Sequence, residues 1–371
     1  MNPPRTAERR WFHVRHWRWK RRWSYWLAIV IVVGIAARVA LPYAMKGWLN
    51  QRLASLGNYQ GHVEDVHVAL WRGSYELQGV HIQQLNSAVD EPLFATPVME
   101  IQVLWFALMK GTVVARIRAL KPTISFAAGH RDKAAQTGKG VNWADLLDQL
   151  TPFRIDRLEI ISGQVHYYDL YSKPKVDVHL DDVEAVLTNL TNAGEKQGDR
   201  VADLQLEALA MAQSKLTLDL QIDPFALQPD FALKMKLLGL QVARMRPAMQ
   251  AYTPFDPTEG KLDVILEATG KDGGVEGYVK PLFTDLKVVD WKQEMKGEHN
   301  PFELAVNAVG SVLNLVLQNQ AKDQLATKMP FSGRLDAPNV EVSTSVINLL
   351  KNAFVSAFEP RFERQANPDK P

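Results

Sequence analysis

Residues 202–222, ADLQLEALAMAQSKLTLDLQI, decide the fold. Ala202, Leu204 and Leu206 alternate with Asp203, Gln205 and Glu207. After a short break, Leu216, Leu218, Leu220 and Ile222 alternate with Lys215, Thr217, Asp219 and Gln221. A period of two puts every apolar side chain on one face of an extended strand and every polar one on the other. Downstream, Phe231, Leu233, Met235 and Leu237 repeat the pattern, as do Leu262, Val264, Leu266 and Ala268. Short connections between such runs predict antiparallel pairs, each wet on one side.

Upstream, GHVEDVHVALWRGSYELQGVHIQQL (61–85) reads as a hairpin turning at Arg72-Gly73. Further strands are expected over 98–108 and 112–126, the second interrupted at Pro122. FRIDRLEIISGQVHYYDL (153–170) reads as two strands meeting at Ser162-Gly163. In 174–190 the apolar phase changes from Val176, Val178 and Leu180 to Val183, Ala185 and Leu187, which predicts a β-bulge near Asp181-Asp182. The total is about a dozen strands. Asn142 caps a short predicted helix, WADLLDQL (143–150). Two amphipathic helices are predicted at about 301–326 and 345–362, the last grouping Leu350, Phe354 and Phe358 as a docking face. The fold class is therefore mainly β (α+β), a long curved antiparallel sheet or groove with C-terminal helices.

The amino terminus differs in kind. Tyr25 to Tyr43, YWLAIVIVVGIAARVALPY, is apolar except for Arg38 and long enough to span a bilayer core. Residues 1–23 before it hold eight Lys and Arg, Arg21 and Arg22 among them, against one acid. That flank predicts a cytoplasmic amino terminus. The basic region is too long for a signal peptide and no small-x-small site follows, so the segment reads as an anchor. Trp23, Trp26, Tyr43 and Trp48 stand where interfacial aromatics are expected. The boundaries are 1–23 for a basic tail, 24–45 for a transmembrane helix and 46–371 for a β-rich domain on the far side.

Beyond residue 23 the chain holds 35 Lys and Arg against 40 Asp and Glu, so the overall charge of +2 hides a mildly acidic domain. The basic tail fits anionic head groups better than nucleic acid, because it abuts a membrane span. With no cysteine, disulfides and thiolate metal sites are excluded. No catalytic residues, metal ligands or cofactor site are assigned. His62 and His67 are an odd five residues apart and fall on opposite strand faces, while His81 lies opposite Glu64. His166, Tyr167, Tyr168 and Asp169 alternate between faces. Asp181, Asp182 and Glu184 are splayed by the expected bulge, and Thr137-Gly-Lys-Gly140 lacks the phosphate-loop spacing.

A dozen strands with one apolar face need cover. The predicted helices are too few to supply it all. Either the sheet folds onto itself as a closed sandwich serving as a scaffold for a protein partner, or it curls into a trough filled by lipid tails. In the second case Leu216, Leu218, Leu220, Ile222, Leu262, Val264 and Leu266 face the lipid.

Five stretches carry a family resemblance. They are YQGHVEDVHVALWRGSYELQGVHI, VNWADLLDQLTPFRIDRLEIISGQVHYYD, GYVKPLFTDLKVVD, DQLATKMPFSGRLDAP and LLKNAFVSAFEPRFE. Taken in this order, the chain resembles the AsmA-like superfamily of Gram-negative envelope proteins, in its branch of single-span inner-membrane proteins with a conserved domain of unknown function. The resemblance implies a periplasmic β-rich domain on an inner-membrane helix, a phospholipid partner in envelope maintenance, a possible envelope protein partner, and no catalytic residues.

Overall fold

The computed structural model describes residues 15–54, 57–69, 72–129, 133–136, 153–192, 201–224, 226, 230–252, 255–290, 324–326 and 328–334. Among the described residues, period-two alternation produces one 14-stranded sheet. Its strands are β1 (Tyr59–Ala69), β2 (Ser74–Gln84), β3 (Phe94–Val103), β4 (Val113–Leu120), β5 (Thr123–Ala127), β6 (Phe153–Asp169) and β7 (Val176–Thr191). They continue as β8 (Ala202–Ala210), β9 (Ser214–Ile222), β10 (Phe231–Gln241), β11 (Phe255–Lys271), β12 (Gly274–Asp290), β13 (Gln324–Ala326) and β14 (Met329–Arg334). Strands follow chain order across the sheet, with β5 in line after β4 and both β13 and β14 on β12.

Four expectations change. The sheet is mixed, because β4 and β5 run parallel to β6. A parallel pair needs a long crossover, and 25 residues separate Ala127 from Phe153. The strand expected to reach 108 ends at Val103, and Trp105–Leu108 forms a helical turn, α2. Residues 153–169 form a single strand, because Ser162-Gly163 is a bulge within β6 rather than a turn. Gln324–Ala326, expected to end a helix, is the strand β13. The helices predicted at 143–150 and 345–362, with Leu350, Phe354 and Phe358, lie outside the described residues, as does 301–323.

The predicted bulge at Asp181-Asp182 is present, and it is one of a series. Ser162, Asp182, Gly239, Gly260 and Asp285 all have positive φ, at 53°, 46°, 71°, 119° and 51°. Pairing register places Ser162 and Asp182 level with Leu237 and Val264, puts Gly239 two residues from that level, and sets Gly260 and Asp285 opposite each other four residues further along β11 and β12. Bulges bend the strands that carry them, so these two groups, on β6–β7 and on β10–β12, crease the sheet. Gly260 is required here, since a Cβ would come within 2.8 Å of the Leu286 Cα. Near the crease β8, β9 and β10 end, while the β6–β7 and β11–β12 pairs continue past it.

The gap between those pairs is filled by a helical segment. A 3₁₀ turn at Val242–Met245 leads into α3 (Arg246–Tyr252). Eleven residues of helix span roughly 16 Å, close to the three strand spacings, about 14 Å, that separate β7 from β10. Val242 joins the core of Met211, Leu240, Leu262 and Phe283, and Ala248 joins that of Tyr167 and Val176. Polar contacts pin both ends. Arg246 donates Nε and Nη2 hydrogen bonds of 2.6 Å to the two carboxylate oxygens of Asp256, and the Tyr252 hydroxyl donates to Asp169 Oδ2 at 2.9 Å. Burial pushes the Tyr167 hydroxyl up to about 12 and raises that of Tyr252 as well.

At the other end of the sheet, α1 runs from Arg15 to Leu53. The helix thus runs past the expected boundary at residue 45 without a break. Tyr25–Leu53 contains an 18-residue window of mean hydropathy 2.2, and by length and composition it can cross a membrane. Among its described side chains, those of the last turns touch the sheet. Met45, Leu49 and Leu53 pack on the core of Val63, Val66, Leu77 and Val80. Asn50 accepts from the Val63 N–H at 2.7 Å and donates to the Val63 carbonyl at 3.1 Å, satisfying the outer edge of β1.

Candidate functional site: the apolar face of the sheet

Following the register from strand to strand gives an unbroken apolar row. It passes through Val66, Leu77, Met99, Ala119, Ile160, Ala185, Leu206, Leu218, Met235, Leu266, Val279 and Met329. Two residues along each strand, on the same face, a second row passes through Val68, Tyr75, Ile101, Ile117, Leu158, Leu187, Leu204, Leu220, Leu233, Ala268, Gly277 and Phe331. Neither row contains a polar side chain apart from the Tyr75 hydroxyl. Eleven strand spacings make each row about 53 Å long, and the rows lie about 7 Å apart.

The opposite face is built from the alternate residues. Its matching row runs His67, Glu76, Glu100, Arg118, Glu159, Val186, Gln205, Asp219, Lys234 and Glu267. Arg118 bridges Glu100 at 3.3 Å and Glu159 at 2.9 Å, tying β3, β4 and β6 together. Arg157 and Arg118 hold the Glu159 carboxyl below the usual range. One face is fitted to water and the other is not.

Cover for the apolar face is uneven. Among the described residues its helical cover is Met45 to Leu53 of α1, over the β1–β2 core of Val63, Val66, Leu77 and Val80, and Val242 to Tyr252, at one end of the strands. In mid-sheet, the cluster of Val183, Ala185 and Ala208 with Ile160, Leu204, Leu206 and Leu216 is made of strand residues alone. Leu206, Leu218, Met235 and Leu266 are half-buried. That is the exposure of a side chain flanked by its neighbours in one layer. In the interior of a sandwich, facing side chains would interdigitate and seal it.

The residues expected to face lipid therefore divide. Leu216, Leu218, Leu220 and Leu266 lie on the half-buried face, where Leu220 and Ile222 also flank a core of Phe231, Ala268, Val275 and Phe331. Leu262 is only 7% exposed, sealed under Val242 and Leu240, and Val264 packs on the same cluster. Leu262 is therefore core. Its alternation pattern could not reveal this, because the covering segment comes from the β10–β11 connection.

Two features flank the face. The stripe of α1 against the domain, Leu41/Pro42, Met45/Lys46, Leu49/Asn50 and Leu53, ends at Leu41, and the described side chains of 25–40 are exposed. Trp26, Tyr43 and Trp48 are exposed as well, and the Arg52 guanidinium lies 5.9 Å from the Trp48 ring centre. Leaving the sheet, α1 runs back along β1 toward the β1–β2 turn, since Leu53 meets Gly61 and Asn50 meets Val63. At that same end, the β3–β4 connection exposes Leu104, Trp105, Phe106 and Met109, the last two at 71% and 87%. Lys110 Nζ sits 4.4 Å over the Phe106 ring.

No protein-family model matches this chain, and no curated protein matches it.

Proposed function

We propose that this chain is a membrane-anchored lipid-binding protein, whose apolar sheet face takes phospholipid acyl chains during maintenance or transfer in the cell envelope. The observation that carries this reading is the pair of apolar rows crossing twelve strands, over which the described residues place no second sheet. From Leu206 to Leu266 the strip is half-buried and carries no helix among the described residues, and soluble monomers rarely leave a contiguous apolar surface of this kind uncovered. A protein carrying a membrane-length helix has acyl chains at hand to cover it.

The eight-to-one excess of cations before Tyr25 favours a cytoplasmic amino terminus. The AsmA-like resemblance favours the bacterial inner membrane, with the sheet in the periplasm. The exposed Leu104–Met109 tip lies at the end of the sheet toward which α1 departs. It is suited to the bilayer interface, its apolar side chains entering the acyl boundary and Lys110 remaining at head-group level.

Alternation supplies an internal control for the test. A photoreactive residue is placed singly at Leu206, Leu218 or Met235 on the apolar face, and at Gln205, Thr217 or Lys234 on the polar face, in the full chain in membranes. Phospholipid adducts are expected from the first set only. Protein adducts from the apolar face, with no lipid, would establish the scaffold reading instead.

A further inference from the structure

The polar face carries a second constellation, unrelated to the rows. His166 and His179 are direct cross-strand partners on β6 and β7, and Asp177 lies two residues before His179 on the same face. Their side chains converge. His166 Nδ1 is 3.0 Å from Asp177 Oδ1, and His179 Nδ1 is 3.6 Å from the same oxygen. The two imidazole centres are 5.3 Å apart. One ligand atom from each of the three residues lies within 4.8 Å of the other two.

We propose that His166, Asp177 and His179 bind one divalent transition-metal ion of the zinc class. In a tetrahedral site with bonds of about 2.0–2.1 Å, neighbouring ligand atoms stand about 3.3 Å apart. The 3.0 and 3.6 Å separations bracket that edge. Two ligands at i and i+2 on one strand, with a third directly across the ladder, form a triangle on a rigid surface. Two imidazoles and a carboxylate suit zinc or copper(II), whereas calcium and magnesium prefer all-oxygen shells.

The surroundings fit the same assignment. His179 Nε2 lies 3.4 Å from Asp181 Oδ2, a buried oxygen that makes no hydrogen bond of its own and is near enough to become the ring's outer partner. This leaves His179 Nδ1, which is buried and makes no hydrogen bond, turned toward Asp177. Tyr168 stacks on His166 with ring centres 5.3 Å apart and an interplanar angle of 8°, limiting rotation of that ring. Among the described residues no lysine or arginine pairs with this cluster, so two carboxylates remain to balance a dication. Three protein ligands leave the fourth position for water or an anionic oxygen. Because the site faces away from the apolar rows, it stands or falls independently of lipid binding.

The test uses the full chain in detergent, stripped with a chelator and titrated with Zn²⁺ against a chromophoric competitor. One equivalent should bind, and substitution by Co²⁺ should give the intense visible bands of a four-coordinate ion. His166→Gln, Asp177→Asn and His179→Gln should each weaken binding at least tenfold, while His62→Gln and His67→Gln leave it unchanged. The three ligands lie on the polar face and both control histidines are exposed, and circular-dichroism melts of the metal-free proteins confirm folding. Binding that is superstoichiometric, or equally affected by the control substitutions, overturns the site. A folded variant at His179 that keeps full affinity also overturns it.

Discussion

Replacing Leu218 with Asp separates an open apolar face from a sealed one by energy as well as by chemistry. Leu218 lies mid-sheet between Leu206 and Met235, with Leu216 and Leu220 on either side along its strand, and it is half-buried. Burying a whole leucine contributes about 1.5–3 kcal/mol, so losing a half-buried one costs about 1–1.5 kcal/mol. Aspartate's poor strand propensity adds at most about 1 kcal/mol. On an open face the carboxylate reaches water and nothing further is lost. The total of roughly 1–2.5 kcal/mol corresponds to a fall in Tm of roughly 2–8 °C for a domain of this size. In a sealed interior, the lost packing of about 2–5 kcal/mol is joined by several kcal/mol for an unpaired buried charge. That sum rivals the whole stability of a typical domain. The assay combines thermal melts of the full chain with lipid photo-adducts from positions 206 and 235. The expected result is a modest drop in Tm with strongly reduced lipid labelling. Collapse of the fold, together with no lipid adduct in the unsubstituted chain, would refute the reasoning.

Three further outcomes are expected. Arg246→Gln should lower Tm at neutral pH, because it strips the partner from Asp256, whose carboxyl Arg246 holds below the usual range. A depressed carboxylate stabilises fully above its unfolded value of about 3.9, and that contribution is lost as pH falls through the folded value. The gap between variant and wild-type melts should therefore close below about pH 4, and a gap independent of pH would count against the ion pair. The chain has no native cysteine, so Phe106→Cys carrying an environment-sensitive dye reports on the tip alone. Its emission should shift to the blue in liposomes, whereas dye on Gln213→Cys at the opposite strand ends should not, and equal behaviour would remove the tip from the membrane. A reporter active only outside the cytoplasm, fused after Pro371, should be active, and activity of a cytoplasm-only reporter there would reverse the orientation.

Much of this architecture is local, and local features are legible in a sequence. Alternation at Leu216 to Ile222 needs only its own strand to be recognised. The phase change between Leu180 and Val183 marks a bulge without reference to any partner. Nineteen residues from Tyr25 to Tyr43 with one charge announce a span by themselves. From β7 to β11 the apolar side chains of both rows are legible as separate stripes, though nothing in any stripe says which residue of the next strand it meets.

That missing quantity is register, which depends on pairing between distant residues. Only the tertiary structure joins Val66 to Met329 through one continuous row, because a one-residue slip in any strand would turn its stripe to the other face. The same long-range pairing sets bulges on neighbouring strands, which creases the sheet, and ends β8 to β10 early. It also admits residues 242–252 as the cover that makes Leu262 core. His166 and His179 are 13 residues apart in the chain and meet only because β6 and β7 pair across a bulge that resets their register. Alternation decided what each strand presents to its two sides, since side-chain direction is set by the backbone of that strand. Pairing decided which strands share a surface, since the hydrogen bonds that set it link residues the linear order keeps apart.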